Sequence, residues 1–469
     1  MSGKCPFNFL SRRAFIKTAG SSVGLLAAST MVGAVASKAA ETATGSAPSV
    51  KSKGDDQIPF WGKHQAGITT QQQAHTYFAS FDLTTTKREE VVQLLKDWTE
   101  AAALLSEGKT VQVKIQKAAA ASPKDPSESA GDESTYGGQS TADSGEAQSL
   151  RPSRLTLTFG FGAGLFTTKE GVDRYGLAKQ RPAELIDLPP FHGDELIEGK
   201  TGGDLSVQAC CDDPQVAFHA VRQLARFTEN IAQIRWAQSG FLSGGGQTDT
   251  PRNLMGFKDG TQQPKAIEHD KFVWVGHDGP TWMQGGSYLV TRRIRIALEH
   301  WDRTAMDFQE QVIGRSKTSG APLGQKHEKE KLNLKAVDKD GNALIPENSH
   351  VRLASAEANG GAQMLRRGYS YNDGVNFTAE RWPPWRQGIE YDAGLFFLSY
   401  QSDPRTGFVK VFQNMAKLDA LNQFVTHVGS GLYACPPGVK KGEFIGQKLF
   451  LQQNVEGEKL AVKTSLARS

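Results

Sequence analysis

Leu205-Ser206-Val207-Gln208-Ala209-Cys210-Cys211-Asp212-Asp213-Pro214 carries the reading that decides the fold. Leu205–Ala209 has the period of a strand. Asp213 then offers an N-cap oxygen and Pro214 a preset φ for the first helical position, so a helix is expected to about Asn230. Ile231–Ala237 returns as a strand. Upstream, Tyr77–Leu83 reads as a strand, and Lys87–Leu105 as a helix with Val91, Leu94, Leu95, Trp98, Ala102 and Leu105 on one face. Leu155–Phe159 alternates with threonines as a strand does. The order is β-α-β followed by β-α-β, the ferredoxin-like arrangement of an antiparallel sheet with helices on one face.

The C-terminal half repeats the theme. Ser287–Ile296 is expected as a strand, Ala297–Ile313 as a helix, Gly394–Tyr400 as a strand, Thr406–Leu418 as a helix and Gly431–Cys435 as a short strand. The expected class is therefore α+β, with two ferredoxin-like domains at 61–240 and 241–445. Residues 41–60 read as a mobile leader and 446–469 as a tail. The segment 119–153 is rich in Ser, Gly, Ala, Asp and Glu, with Tyr136 and Leu150 as its only large apolar residues. Too little can be buried there to offset the ordering entropy, so it reads as a surface insertion. Residues 323–347 read as a further solvated loop.

A chain of 469 residues with 38% hydrophobic and 22% charged residues is neither disordered nor a disulfide-stapled mini-protein. Its negative mean hydropathy excludes a polytopic membrane protein. The formal net charge of +4 divides unevenly. Residues 1–40 hold Lys4, Arg12, Arg13, Lys17 and Lys38 and no acid, which leaves the remainder near neutrality. A near-neutral mature chain offers no electrostatic footprint for nucleic acid.

Those forty residues have the three parts of an export signal. Ser11-Arg12-Arg13-Ala14-Phe15-Ile16-Lys17 supplies the charge, a Gly- and Ala-rich run from about Ala19 to Ala36 supplies the apolar stretch, and small residues close it. The paired arginines read as a twin-arginine address. Gly20, Ser22, Gly24, Ser29 and Gly33 interrupt the run and make a permanent span a poor alternative. The expected location is beyond the cytoplasmic membrane, in a periplasm, at the cell surface or secreted. The mature chain keeps Cys210, Cys211 and Cys435. With no Cys-x-x-Cys-His, covalent c-type haem attachment is excluded, and buried thiols are the expected state.

Chemistry could lie in three places. In Gly256-Phe257-Lys258-Asp259-Gly260-Thr261-Gln262 two glycines frame an acid, allowing close approach of backbone to a ligand and proton transfer by Asp259. The ordinary use of Asp-Gly is a turn closing a hairpin. His350 is one of ten histidines, no two of them at i, i+3 or i, i+4, so spacing selects no ligand. Arg366-Arg367 after Met364-Leu365 is either a solvated element end or, if Arg366 points into a cavity, a guanidinium suited to an anion or a peroxide.

Together these segments resemble the dye-decolorizing peroxidase family of haem b peroxidases, in particular its exported twin-arginine-dependent branch, which includes deferrochelatases of ferrous-iron uptake. The resemblance runs from His64-Gln65-Ala66-Gly67-Ile68 to about Gly438 and includes Gly256-x-x-Asp259-Gly260, His350-Val351-Arg352-Leu353, Leu365-Arg366-Arg367-Gly368-Tyr369 and Asp392-Ala393-Gly394-Leu395. It implies two ferredoxin-like domains, with haem held without a covalent bond in a pocket mainly of the C-terminal one. It implies His350 as proximal ligand of the haem iron, Asp259 as distal acid and Arg366 as distal arginine. Asp392 is implied to accept the other N–H of His350, and Gly260, Thr261 and Gln262 to line the distal face. The implied partners are hydrogen peroxide, a reducing donor, the twin-arginine translocase and components of a ferrous-iron uptake system. Iron release from haem and non-catalytic haem binding are the rival readings.

Overall fold

The computed structural model describes residues 56–113, 142–242, 250–379 and 387–451. The export signal, residues 41–55 of the leader, residues 119–141 of the insertion and 452–469 of the tail lie outside the described residues. In chain order the larger elements are β1 (His75–Leu83), α1 (Arg88–Ser106), β2 (Thr156–Phe161), β3 (Leu205–Cys211), α2 (Pro214–Arg226) and β4 (Ala232–Phe241). There follow α3 (His269–Phe272), β5 (Ser287–Ile296), α4 (Leu298–Trp301), α5 (Met306–Ile313) and α6 (His350–Leu353). The last are β6 (Leu365–Arg366), β7 (Tyr369–Ala379), β8 (Gln387–Gln401), α7 (Lys410–Leu418) and β9 (Val425–Cys435).

The N-terminal strands are ordered β2-β3-β1-β4 and the C-terminal ones β9-β5-β8-β7, with antiparallel pairing throughout. Two narrow junctions join the sets, Phe161 to Ala434 and Phe241 to Ser370. Since β5 pairs with both β9 and β8, the eight strands close into a ring, which removes the exposed edges of the two sheets.

The ring explains why every residue of β2 and β3 is buried. One face of each strand, Leu157, Phe159, Val207 and Ala209, packs with Trp98 and Leu224 in the core under α1 and α2. The other face looks into the ring, where Phe78, Tyr369, Phe396, Tyr400 and Tyr433 form an aromatic interior. The alternating threonines therefore point inward, and each has a partner: Thr158 Oγ1 donates to Ala66 O at 2.6 Å, and Thr156 Oγ1 accepts from Gln73 Nε2 at 3.0 Å.

Asp213 caps α2 as expected, accepting from the amides of Gln215 at 2.8 Å and Val216 at 3.1 Å. Such a cap contributes about 1 kcal/mol. The helix ends at Arg226 and not near Asn230, because Thr228 Oγ1 takes Ala225 O and Asn230 turns to φ +60°. The single helix expected over 297–313 is two, and Gln309 Nε2 folds back onto the carbonyls of Trp301 and Thr304 at the break. Residues 446–450, expected in a tail, return to the N-terminal core through Leu449 and Phe450. No helix among the described residues is long and apolar enough to cross a membrane.

Candidate active site

The Asp259 loop is built by a tight hairpin. Asn253 N donates to Phe257 O at 2.9 Å, and the Asn253 carboxamide oxygen accepts from the amides of Met255 and Phe257. Gly256 supplies the positive φ of +85° that this turn needs. Buried Phe257 lies edge-on to Trp301, whose indole N–H binds Met255 O. The turn thus falls at Asn253–Gly256, and Asp259-Gly260 is not the hairpin tip. Asp259 follows on the returning arm, its amide held by Pro251 O at 2.8 Å.

Arg366 is brought to Asp259 by β6, which pairs with β8 at Ser399. Gln263 clamps its backbone from both sides: Oε1 accepts from Arg366 N at 2.9 Å and Nε2 donates to Arg366 O at 3.0 Å. The guanidinium reaches Gln262 O through Nη2 at 2.9 Å and stands 3.6 Å from Asp259 Oδ1 through Nη1. Both side chains keep about a third of their surface open, 28% for Arg366 and 34% for Asp259. Asp259, Gly260, Gln263 and Arg366 line one cleft. Gly260 has φ +106°, and a Cβ there would meet only Gln263 Nε2 at 3.9 Å, so space stands open beside it.

His350 opens α6, behind the buried Ser349, whose hydroxyl caps Pro346 O at 2.7 Å. Its Nδ1 lies 2.7 Å from Asp419 Oδ2. Burial alone would lower the histidine pKa, but the Asp419 carboxylate, helped by Asp259 and opposed by Arg366, raises it above the ordinary value. The charges of Asp259 and Arg366 are thus among those felt at His350. Nε2 of His350 has no hydrogen-bond partner among the described residues, and the side chain is 28% exposed.

Asp392 is not the partner of His350. Its Oδ1 accepts from Arg293 Nη2 at 2.8 Å, and the same guanidinium, 3% exposed, also binds Asp373 and Gln238 and stacks on Tyr371. A buried guanidinium requires compensating carboxylates, and Asp392 meets that requirement on β8. Asp419, which sequence reasoning missed, looks like an ordinary cap at the end of α7: Oδ1 takes Leu421 N at 2.9 Å. Ala420 N donates to Asn348 O at 2.9 Å and so ties this turn to α6. Gln263 was likewise missed. Of the lining residues expected, Gln262 contributes its carbonyl to Arg366, and Thr261 turns its hydroxyl to Glu328 Oε1 at 3.0 Å.

No group of three His, Cys, Asp or Glu side chains among the described residues could hold a bare metal ion. One histidine with a carboxylate behind it, an open Nε2 and a polar acid–guanidinium pair fits instead a prosthetic group that would be held through a single histidine nitrogen. Such a fold and site fit an enzyme that carries a group of that kind.

The comparisons agree. Residues 65–242 match the family "Dyp-type peroxidase, N-terminal" and residues 250–440 match "Dyp-type peroxidase, C-terminal". The chain belongs to the DyP-type peroxidase family and is an enzyme of this haem peroxidase class. It is 37% identical over 403 residues to the dye-decolorizing peroxidase of Thermobifida fusca (strain YX), covering 82% of this chain and 83% of that protein. It is 35% identical over 418 residues to the deferrochelatase of Yersinia pestis bv. Antiqua (strain Nepal516), covering 86% of this chain and 87% of that one. The solved structure of ferric DtpA from Streptomyces lividans is similar with a TM-score of 0.73 and 38% identity, over 86% of this chain and all of that chain.

Proposed function

We propose that this chain is an exported haem b peroxidase of the dye-decolorizing type, reducing hydrogen peroxide and oxidising an organic or metal donor. The observation that carries the reading is His350, its Nδ1 committed to Asp419 and its Nε2 open, under the influence of the Asp259–Arg366 pair. His350 Nε2 would bind the iron, and Asp419 would keep the proton on Nδ1 and make the ring a stronger donor. Haem, once bound, supplies the iron centre that accepts peroxide and stores the oxidising equivalents passed to the donor. The absence of Cys-x-x-Cys-His supports non-covalent attachment.

Asp259 takes the proton from the inner peroxide oxygen and delivers it to the outer one, so that water can leave. Arg366 holds its guanidinium against the negative charge that develops as the O–O bond breaks. The two half-rings of strands, each in β-α-β-β-α-β chain order, are read as two ferredoxin-like units, with Asp259, His350 and Arg366 all in the C-terminal one.

The test is an absorbance spectrum of the purified mature protein before and after stoichiometric hydrogen peroxide. A haem band that changes with peroxide and returns on adding a reducing dye supports the reading; a haem band indifferent to peroxide defeats it. The likeness to proteins named deferrochelatase supports a second reading, iron release at the same pocket. Free protoporphyrin after incubation with haem would favour that activity and a link to ferrous-iron uptake. Export rests on Arg12-Arg13 and the apolar run behind them. R12K/R13K should leave the protein, in its source or an equivalent host, inside the cytoplasm, and unchanged export would remove the twin-arginine assignment.

A further inference from the structure

The charged stretch 323–347 is not wholly solvated, and one of its carboxylates is fully committed. Glu328, with a side chain 13% exposed, accepts from Lys258 Nζ on Oε2 at 2.7 Å and from Thr261 Oγ1 on Oε1 at 3.0 Å. Oε1 also accepts from Thr250 Oγ1. Burial would raise the pKa of this acid, but the bonds from Lys258, Thr250 and Thr261 outweigh it and hold the group ionised. The Glu328 carbonyl takes Nη1 of the buried Arg315 at 2.9 Å.

Lys258 and Thr261 flank Asp259-Gly260 in sequence. Gly260 has no side chain to pack, so the strand of loop carrying Asp259 is pinned by its amide bond to Pro251 O and by these two anchors. The same stretch continues to the other side of the site: Arg352, two residues beyond His350, donates through Nη1 to Leu334 O at 3.0 Å and Ile345 O at 2.9 Å.

We propose that Glu328 is a positioning residue for peroxide cleavage, gripping the loop on both sides of Asp259 and so fixing its carboxylate against Arg366, with residues 323–347 acting as a strap between the Asp259 loop and the His350 helix. This rests on the peroxidase reading above. The role assigned to Glu328 is exercised through its bonds to Lys258 and Thr261.

E328Q retains the shape but cannot accept from both the ammonium and the hydroxyls through an ionised group. In the haem-loaded enzyme its second-order rate with hydrogen peroxide should fall about tenfold or more, the usual scale for a displaced catalytic group. Haem affinity and the donor KM should stay at wild-type values. E328D should recover part of the loss, and adding E328Q to K258M should cost much less than E328Q alone, because the partner is already gone. In the apoprotein, hydrogen exchange at amides 257–262 should accelerate in E328Q while the α1 amides are unchanged.

A wild-type rate with peroxide together with unchanged exchange overturns the proposal. Loss of haem from E328Q also overturns it, by making Glu328 part of the pocket's folding. Should E328Q fail to fold, T261V carries the same expectation for rate and exchange, and wild-type values there are equally fatal. If the wild-type enzyme ignores peroxide, the peroxidase reading fails, while the apoprotein exchange still decides whether Glu328 holds the loop.

Discussion

His350 Nδ1 and Asp419 Oδ2 stand 2.7 Å apart although 69 residues separate them in the chain. Asp419 is nearly inaccessible, its side chain 2% exposed, and its other oxygen is occupied by Leu421 N. The carboxylate is therefore fixed before any ligand arrives, and by holding Nδ1 it leaves Nε2 as the imidazole nitrogen open to a ligand. D419A should weaken haem binding or peroxide turnover by about 10–100-fold, the usual effect of removing the partner of a ligand histidine. D392N should leave haem binding intact and lower thermal stability instead, because Arg293 loses one of its two carboxylates. Hemin titration and melting curves of both variants check the assignment; a haem defect in D392N alone would reverse it.

Arg366 and His350 should separate binding from chemistry. R366L keeps the open Nε2 of His350 and is expected to hold haem while slowing the reaction with peroxide by about 10²–10³-fold, the range for losing one preorganised donor to a developing negative charge. H350A should lose haem or bind it loosely. Stopped-flow absorbance of both variants reads the two effects, and an H350A protein with a wild-type Soret band and peroxidase rate would remove His350 from the mechanism.

Much of the scaffold is legible locally. Ser287–Ile296 is a strand over the expected residues, and Asp213-Pro214 begins α2 because a cap and a preset φ act within four residues. β7 escaped, although Tyr369 and Tyr371 alternate inward and could have announced it. The site is legible only in part, for a different reason. Asp419 serves as cap and histidine partner at once, and the cap alone accounts for its sequence context. Glu328 sits in a run of charges that reads as solvated, and its bonds to Lys258 and Thr261 span 70 and 67 residues. Such pairings are set by packing of the C-terminal half, and no periodicity records them.

The three described cysteines are free and buried. Burial pushes the Cys211 thiol up to about 12 and Cys435 upward as well, so little thiolate exists at neutral pH. Cys210 accepts a contact from Tyr369 Oη at 3.4 Å within the ring. The folded mature protein should be inert to a thiol reagent such as DTNB and should release three thiols in guanidinium. Fewer than three, restored by reductant, would show a disulfide that this fold does not contain.

His427 gives the stability a defined acid dependence. It is 8% exposed, edge-on to Phe412, with Nδ1 lacking a hydrogen-bond partner, and it lies beside the Arg292 guanidinium. Burial first, and the Arg292 charge second, push its pKa down to about 3 from 6.5. Between those values the unfolded chain binds a proton that the folded chain refuses, so stability falls as pH drops below 6.5 and stops falling near 3. From pH 6.5 to 5 the loss from this residue alone is about 1.5 kcal/mol. His64 and His75 are shifted down by burial too and act in the same direction, but equally in a variant that retains them. H427L keeps an apolar contact for Phe412 and cannot titrate. Urea unfolding at pH 6.5 and pH 5 should show the wild type losing more stability than H427L by about that amount. Parallel losses in the two proteins would mean that His427 is charged in the folded state or leaves its aromatic contact before the chain unfolds.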